Sequence, residues 1–360
     1  MTHDATEIEA DPALVGKALE LLGVRDIWRS NILYAGAELG VFDSVDDMPK
    51  PSETIADELG TDPSYTYRFL RALAHYGLLA EHENRQFTLT SLGELFQTDH
   101  SQSVDHAVRF FRSREQRLVW LQLPDVIREG GTTGWVREFG ERGFDHMEAN
   151  PELSEAFNGT MTVFSQIQAP QVVATLGDYD FSTFSHICDI GGSHGYLLCL
   201  LLQANPHLEG SVLELENVVE EEDRHWASKL GVSDRCTYIA GDMFESVPEA
   251  DGYVVKSVLH DWTDDECVDI LRTVRENAPP DGRLFVVEPL MPPPGTTDAT
   301  DPSGHHDTVP SDINMMVGAG GRERTLSEFE ALLDRSGWEY VETWRPEEGR
   351  FNVIEAKSGG

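Results

Sequence analysis

The sequence predicts an α/β protein: a C-terminal Rossmann-like domain on a mostly parallel sheet, preceded by a mainly α-helical winged-helix unit. Three observations lead there. From Phe184 onward, short apolar runs alternate with helical segments, the pattern of a parallel sheet covered on both faces. The first run closes on a glycine turn, Asp189-Ile190-Gly191-Gly192-Ser193-His194-Gly195, as a nucleotide-binding strand does. Residues 13–110 read instead as helices followed by two short strands, a helix–turn–helix plus hairpin.

Taken in order, residues 13–22 and 27–39 carry helical apolar spacing. Residues 52–60 form a short helix stopped by Gly60. Asp62-Pro63 opens the next, over 65–76, as a capping residue followed by proline in the first turn. Gly77 ends it, and strands over 78–80 and 86–90 are joined by the polar turn 81–85. Residues 103–180 are mainly helical, with glycine breaks at 130–131 and 140–143. Strands over 185–190, 210–215, 237–240, 252–257 and 283–289 then alternate with helices over 195–203, 218–230 and 264–277. A Pro/Gly/Asp/Thr-rich loop spans 292–310. An apolar segment over 312–317, a helix over 326–336 and strands over 338–344 and 350–356 complete a sheet of seven strands. The chain divides at 1–110, 111–180 and 181–360, and no internal repeat is visible.

A length of 360 residues suits two domains of roughly 100–200 residues each. No apolar run reaches the roughly 18–20 residues of a membrane span, and the acidic N-terminus carries no apolar leader. A soluble, cytoplasmic protein with no membrane partner is expected. Cys188, Cys199, Cys236 and Cys267 lack metal-ligand spacing, so buried reduced thiols are expected, with no disulfide framework and no metal cofactor.

Formal net charge is −37, from 64 acids against 27 bases, and only Lys17, Lys50, Lys229, Lys256 and Lys357 are lysines. The acids are spread along the chain and do not form a tail. A dispersed acidic coat of this size suits a high-salt cytoplasm, where screening relieves self-repulsion. It also argues against nucleic acid as a partner. Residues 1–110 hold 19 acids against eight bases, and the 65–76 helix offers only Arg68 and Arg71 to phosphate. A DNA-binding winged helix is thus the weaker alternative to a module that pairs subunits.

The chemistry gathers at strand ends. Glycines after a buried strand let a ligand approach the backbone, although G-x-G-x-x-G is not met: the turn reads G-G-x-x-G. Glu214 ends the next strand, where an acid can bind both ribose hydroxyls. Gly241-Asp242-Met243-Phe244 follows the third strand and offers a carboxylate with two large apolar neighbours, as an adenine needs. Val255-Lys256-Ser257-Val258-Leu259-His260-Asp261-Trp262 ends the fourth in an imidazole and a carboxylate. Glu288 ends the next, 28 positions after His260, and Glu323 lies in the loop before the last helix. Two carboxylates around an imidazole can orient it and stabilise its protonated form. A rival reading treats Gly191-Gly192-Ser193-His194-Gly195 as the G-x-S-x-G elbow of a serine hydrolase, with its base at His260, His305 or His306. That elbow needs several preceding strands, which are absent here.

These motifs resemble the class I S-adenosylmethionine-dependent O-methyltransferases of the caffeate/hydroxyindole type, over roughly residues 15–356. The family's D-x-G-G-G-x-G is matched by Asp189–Gly195 with Ser193 for a glycine, and F-D-L-P by Leu213-Glu214-Leu215-Glu216, which has Glu for Asp and no proline. G-D-M-F, H-D-W and G-G-x-E-R-T are matched by Gly241–Phe244, His260–Trp262 and Gly320–Thr325. The resemblance implies a homodimer paired through the N-terminal domain, a helical connector at 111–180 that contributes to the acceptor pocket, and a loop at 292–310 that borders it. It makes His260 the base, flanked by Glu288 and Glu323, and gives the cofactor to Gly191, Glu214, Asp242, Met243, Phe244 and Lys256. It places Phe157 and Met161 (F-N-x-x-M), Asp261, Trp262 and Met315 (D-x-x-M) around a small hydroxylated, aromatic acceptor.

From the charge alone, the melting temperature is expected to rise between dilute buffer and molar potassium chloride. Equal melting in both would remove salt adaptation.

Overall fold

The computed structural model describes residues 11–296, 308–347 and 349–359. They form two compact units, Met1–Gln116 with Glu155–Thr160, and Arg117–Ser154 with Met161–Gly360.

In the first unit, helices Pro12–Leu21, Val24–Glu38, Ser52–Leu59 and Pro63–His75 accompany a small antiparallel sheet. Its strands are β1 (Lys50–Pro51), β2 (Leu79–His82) and β3 (Gln86–Leu89), in the order β1-β3-β2. Asp62 caps the Pro63–His75 helix, its Oδ1 accepting from the amides of Ser64 and Tyr65. Phe42, Ile55, Leu70, Leu73 and Phe87 are buried together beneath the wing. The helix–turn–helix plus hairpin expected from the sequence is therefore present, with one extra short strand.

The second unit is built on a seven-stranded sheet of order β6-β5-β4-β7-β8-β10-β9. The strands are β4 (His186–Ile190), β5 (Glu209–Glu214), β6 (Cys236–Ala240), β7 (Gly252–Lys256), β8 (Arg283–Pro289), β9 (Trp338–Trp344) and β10 (Phe351–Ser358). The first five are parallel, and β10 runs antiparallel to both neighbours. The chain winds outward from β4 to β6, then returns to lay β7 and β8 on the other side of β4. That reversal opens a crevice at the carboxyl ends of β4 and β7, where ligands bind in such sheets.

The helix Tyr196–Ala204 buries Leu197, Leu198, Cys199, Leu201 and Leu202. Helices Asp264–Asn277 and Leu326–Ser336 each begin with a complete capping box, Thr263 with Glu266 and Thr325 with Glu328. All four cysteines are buried and unbridged. No helix among the described residues is long and apolar enough to cross a membrane.

One expectation is corrected. The single helix over 218–230 is instead three short pieces, Glu216–Val219, Glu222–Arg224 and Trp226–Lys229. Four consecutive acids, Glu220 to Asp223, repel along a helix, and the Trp226 amide donates instead to the His194 carbonyl at 3.1 Å. The apolar segment at 312–317 belongs to a helix, Thr308–Val317. Most of the 292–310 loop, with His305 and His306, lies outside the described residues.

Tyr253 is fully buried, and its hydroxyl accepts from the Ala250 amide and shares its one proton between the carbonyls of Pro248 (3.1 Å) and Asn277 (3.0 Å). Tyr253→Phe leaves those groups unpaired and is expected to lower unfolding free energy by about 1–3 kcal/mol. Chemical denaturation reads the change.

Candidate active site

The glycine turn after β4 holds three residues in the left-handed region: Gly191 at φ 66°, Ser193 at 51° and Gly195 at 80°. A Cβ on Gly192 would lie 2.6 Å from the Asp189 carboxyl, and one on Gly195 would lie 2.8 Å from the Tyr238 hydroxyl. Neither position tolerates a side chain. The turn is tied down from three sides. Glu214 at the end of β5 accepts from the amides of Ser193 (3.0 Å) and Leu215 (2.9 Å). The Tyr238 hydroxyl donates to the His194 carbonyl at 2.8 Å. The His194 ring is buried, with Nε2 2.8 Å from Glu221.

Charge is concentrated at this edge. Burial pushes the Asp189 carboxyl up to about 7, against Lys256, which holds it down, and with Glu214 adding repulsion. Burial raises Glu214 as well, although its two amide donors oppose this. The Lys256 ammonium is lowered by burial despite Glu288 and Asp189. Next along the edge, Asp242 accepts from the Phe244 amide at 2.9 Å. The Phe244 ring meets Trp262 edge-on at 4.8 Å, and the Arg142 guanidinium lies 4.9 Å over the same indole.

His260 sits on the single turn Leu259–Asp261 that follows β7. Glu288, on β8, is wholly buried at 0% exposure. Its Oε1 accepts from the amides of Val258 (3.2 Å) and His260 (3.3 Å), and its Oε2 lies 3.3 Å from His260 Nδ1. Glu323 Oε1 is 3.6 Å from the same nitrogen and accepts from the Ser311 hydroxyl at 2.7 Å. Asp261 Oδ1 is 3.8 Å from His260 Nε2. Burial would lower the imidazole pKa, but Glu288, Asp261 and Glu323 outweigh it and push His260 up to about 10. Burial pushes Glu288 up to about 7 against the pull of His260, and it raises Asp261 in the same way. Glu323 moves down, because His260 and Ser311 outweigh its burial.

Two neighbours of this turn were not singled out by sequence reasoning. Arg324 is fully buried and donates to the carbonyls of Leu259 (2.7 Å) and Trp262 (2.8 Å) as well as to Asp264. Gly321 approaches so closely that a Cβ would overlap the His260 carbonyl oxygen and sit 2.6 Å from the Trp262 amide. Both belong to the quoted G-G-x-E-R-T stretch, so the signal was present without its geometry. Glu221 and Arg142 carry no motif at all.

The structure thus brings His260, Glu288, Glu323 and Asp261 together, and it sets Gly191, Glu214, Asp242, Met243, Phe244 and Lys256 along neighbouring strand ends. Met161 and Met315 lie half-buried in the second unit. Phe157 lies in the first, its ring 5.2 Å from Phe110.

A doubly wound sheet with a rigid glycine cradle, a strand-end acid and an acid-flanked imidazole defines a nucleotide-cofactor group transferase. A family model described as an O-methyltransferase domain matches residues 120–339, and one described as an O-methyltransferase dimerisation domain matches 23–99. The O-demethylpuromycin-O-methyltransferase of Streptomyces alboniger is 36% identical over 91% of this chain and 85% of its own. The crystal structure of LaPhzM superposes with a TM-score of 0.85 at 30% identity, over 95% and 99% of the two chains. That of NcsB1 from neocarzinostatin biosynthesis, in complex with S-adenosylmethionine and 2-hydroxy-5-methyl naphthoic acid, gives 0.73 at 26%, over 92% and 96%.

The chain belongs to the O-methyltransferase family, and its cofactor is S-adenosylmethionine. The site fits that cofactor. The cradle has no room for side chains, Glu214 presents two oxygens to a diol, and Phe244 and Met243 offer apolar faces beside Asp242. The serine hydrolase and DNA-regulator alternatives fall with this assignment. Ser193 shares the left-handed φ of a hydrolase elbow, but the imidazole recorded beside its hydroxyl is that of His194, at 3.4 Å, and Glu221 holds that ring.

Gly321→Ala is expected to displace the His260 turn and cut turnover at least tenfold while S-adenosylmethionine still binds. Steady-state rates together with calorimetry read the split.

Proposed function

We propose that this enzyme methylates a hydroxyl of a small aromatic acceptor, with His260 as general base. One observation carries the reading: two carboxylates face Nδ1 of an imidazole at the crevice edge, which leaves Nε2 to face the acceptor. The resemblance adds Glu288 and Glu323 as its flanking acids. It also adds Gly191, Glu214, Asp242, Met243, Phe244 and Lys256 as cofactor residues.

A neutral phenol, with a pKa of about 10, is a weak nucleophile at neutral pH. Handing its proton to an ordinary imidazole, near 6.5, is uphill by about 5 kcal/mol. Once it has shed its own proton to solvent, an imidazole pushed up to about 10 receives the same proton almost without further cost. Glu288 and Glu323 thus do more than orient the ring: they match its basicity to a phenol. The bound cofactor supplies a methyl group on a sulfonium, and the chain's part is to align the acceptor oxygen and take its proton. In the second unit, Met161, Met315, Asp261 and Trp262 are the residues we assign to the acceptor. A thioether against an aromatic face suits that role.

We also infer a homodimer paired through the N-terminal domain. Leu21 and Trp28 stand 89% and 60% exposed, beside exposed Leu14, Leu19, Leu22 and Ile27, an apolar stripe that a second copy would cover. Buried unbridged thiols suit a reducing cytoplasm.

His260→Ala is expected to abolish turnover while calorimetry still detects cofactor binding; wild-type rates would refute the assignment. Because the free protein holds the proton on His260 at neutral pH, kcat/KM should climb with pH toward a midpoint near 10. Removing a charge that raises the imidazole, as in Glu288→Gln, should move that midpoint down. A flat profile, or a midpoint that moves up, would contradict the charge argument.

A further inference from the structure

His260, Glu288 and Glu323 form a grouping in which one ligand atom from each lies within 4.8 Å of the others. Their geometry is odd for hydrogen bonding. His260 Nδ1, Glu288 Oε2 and Glu323 Oε2 are all buried, and none has a hydrogen-bond partner. The separations from Nδ1, 3.3 Å to Glu288 Oε2 and 3.6 Å to Glu323 Oε1, are longer than the roughly 2.7–2.9 Å of a charge-assisted N–H···O bond. They are close to a different length. Tetrahedral zinc with bonds of about 2.0–2.2 Å to nitrogen and oxygen has ligand–ligand edges of roughly 3.3–3.6 Å.

The other groups facing the site leave it anionic. Asp261 stands 3.8 Å from Nε2. Besides the imidazole itself, Lys256 acts on Glu288 and Arg350 on Glu323 as positive charges. The donors are already held in place: Glu288 Oε1 by the amides of Val258 and His260, Glu323 Oε1 by Ser311, and the Glu323 amide by Asp312 Oδ1 at 2.9 Å. A buried pair of carboxylates with a fixed imidazole is a donor set for a borderline divalent transition metal.

We propose that His260, Glu288 and Glu323 form an inhibitory binding site for a divalent transition metal such as Zn²⁺ or Co²⁺, occupied in competition with the proton on Nδ1. The exchange balances without redox: the cation bonds to the Nδ1 lone pair, and the proton held there leaves to solvent. Nε2 then carries the ring's remaining proton, so the nitrogen that faces the acceptor can no longer accept one. The block of turnover rests on His260 being the base, whereas binding rests on the geometry alone.

The test is titration of the purified full chain with Co²⁺ in a non-chelating buffer. A saturable ligand-field absorption band is expected at one ion per chain, with release of a proton and displacement by Zn²⁺. Glu288→Gln and His260→Ala should each weaken Co²⁺ by about 100-fold or more, since even outer-shell changes cost 10–100-fold, and both should keep S-adenosylmethionine binding by calorimetry. Absence of the band, or binding that survives both substitutions, overturns the site. Binding as described with unimpaired turnover at saturating Zn²⁺ overturns the block, and with it the reading of His260 as base. Loss of turnover that tracks the Co²⁺ band and reverses with chelator supports both.

Discussion

A carboxylate with no exposure must be answered by donors, and Glu288 is answered by the turn that carries the imidazole. Its Oε1 takes the amides of Val258 and His260, so the backbone leaving β7 is bent around it. Its Oε2 then stands beside the ring nitrogen. One buried charge therefore sets both where His260 lies and how basic it is. Losing that acceptor altogether would not simply remove an interaction. It would free two amides in a dry environment and release the turn, because leaving a buried polar group unpaired costs more than its hydrogen bond contributed on net.

The opposite face of the same turn is held by the loop before the last helix. Arg324 grips the carbonyls of Leu259 and Trp262, while Gly321 lets two backbones meet where no side chain fits. Glu323 stands between them and delivers the second carboxylate to Nδ1. A donor fork, a missing Cβ and an acid in four consecutive residues thus act as one clamp. The Thr325–Glu328 capping box fixes the helix behind it, so the clamp rests on a rigid element and not on a free loop.

Much of this was legible because strand periodicity and strand-end chemistry are local. Each expected strand of the parallel sheet appears within a residue or two of its place, and the capping pair Asp62-Pro63 marks its helix as the sequence implies. What failed was the single helix expected over 218–230. The competing terms there are long-range: the Trp226 amide reaches the His194 carbonyl, and Glu221 reaches the His194 ring. A window of neighbouring residues cannot register a partner 27 to 32 positions away. For the same reason Arg324 could be quoted inside a motif without its role being visible. The carbonyls it serves lie some sixty residues earlier.

Lysine is rare in this chain, yet one of the five sits at the end of β7 with its ammonium buried between acids. On the surface, replacing lysine by acid raises the self-repulsion of the coat, a cost that salt screens. In the crevice screening is weaker, and Asp189, Glu214, Glu288, Glu323 and Asp261 repel one another with less relief. Lys256, which is drawn up by Glu288 and Asp189 against its own burial, supplies part of that relief. The proton on His260 supplies another part. A cationic cofactor suits the remainder, because it enters a site whose fixed charges are already in excess of their counterions. The same surplus of buried negative charge therefore favours the sulfonium, holds the imidazole basic enough for a phenol, and leaves an opening for a metal ion.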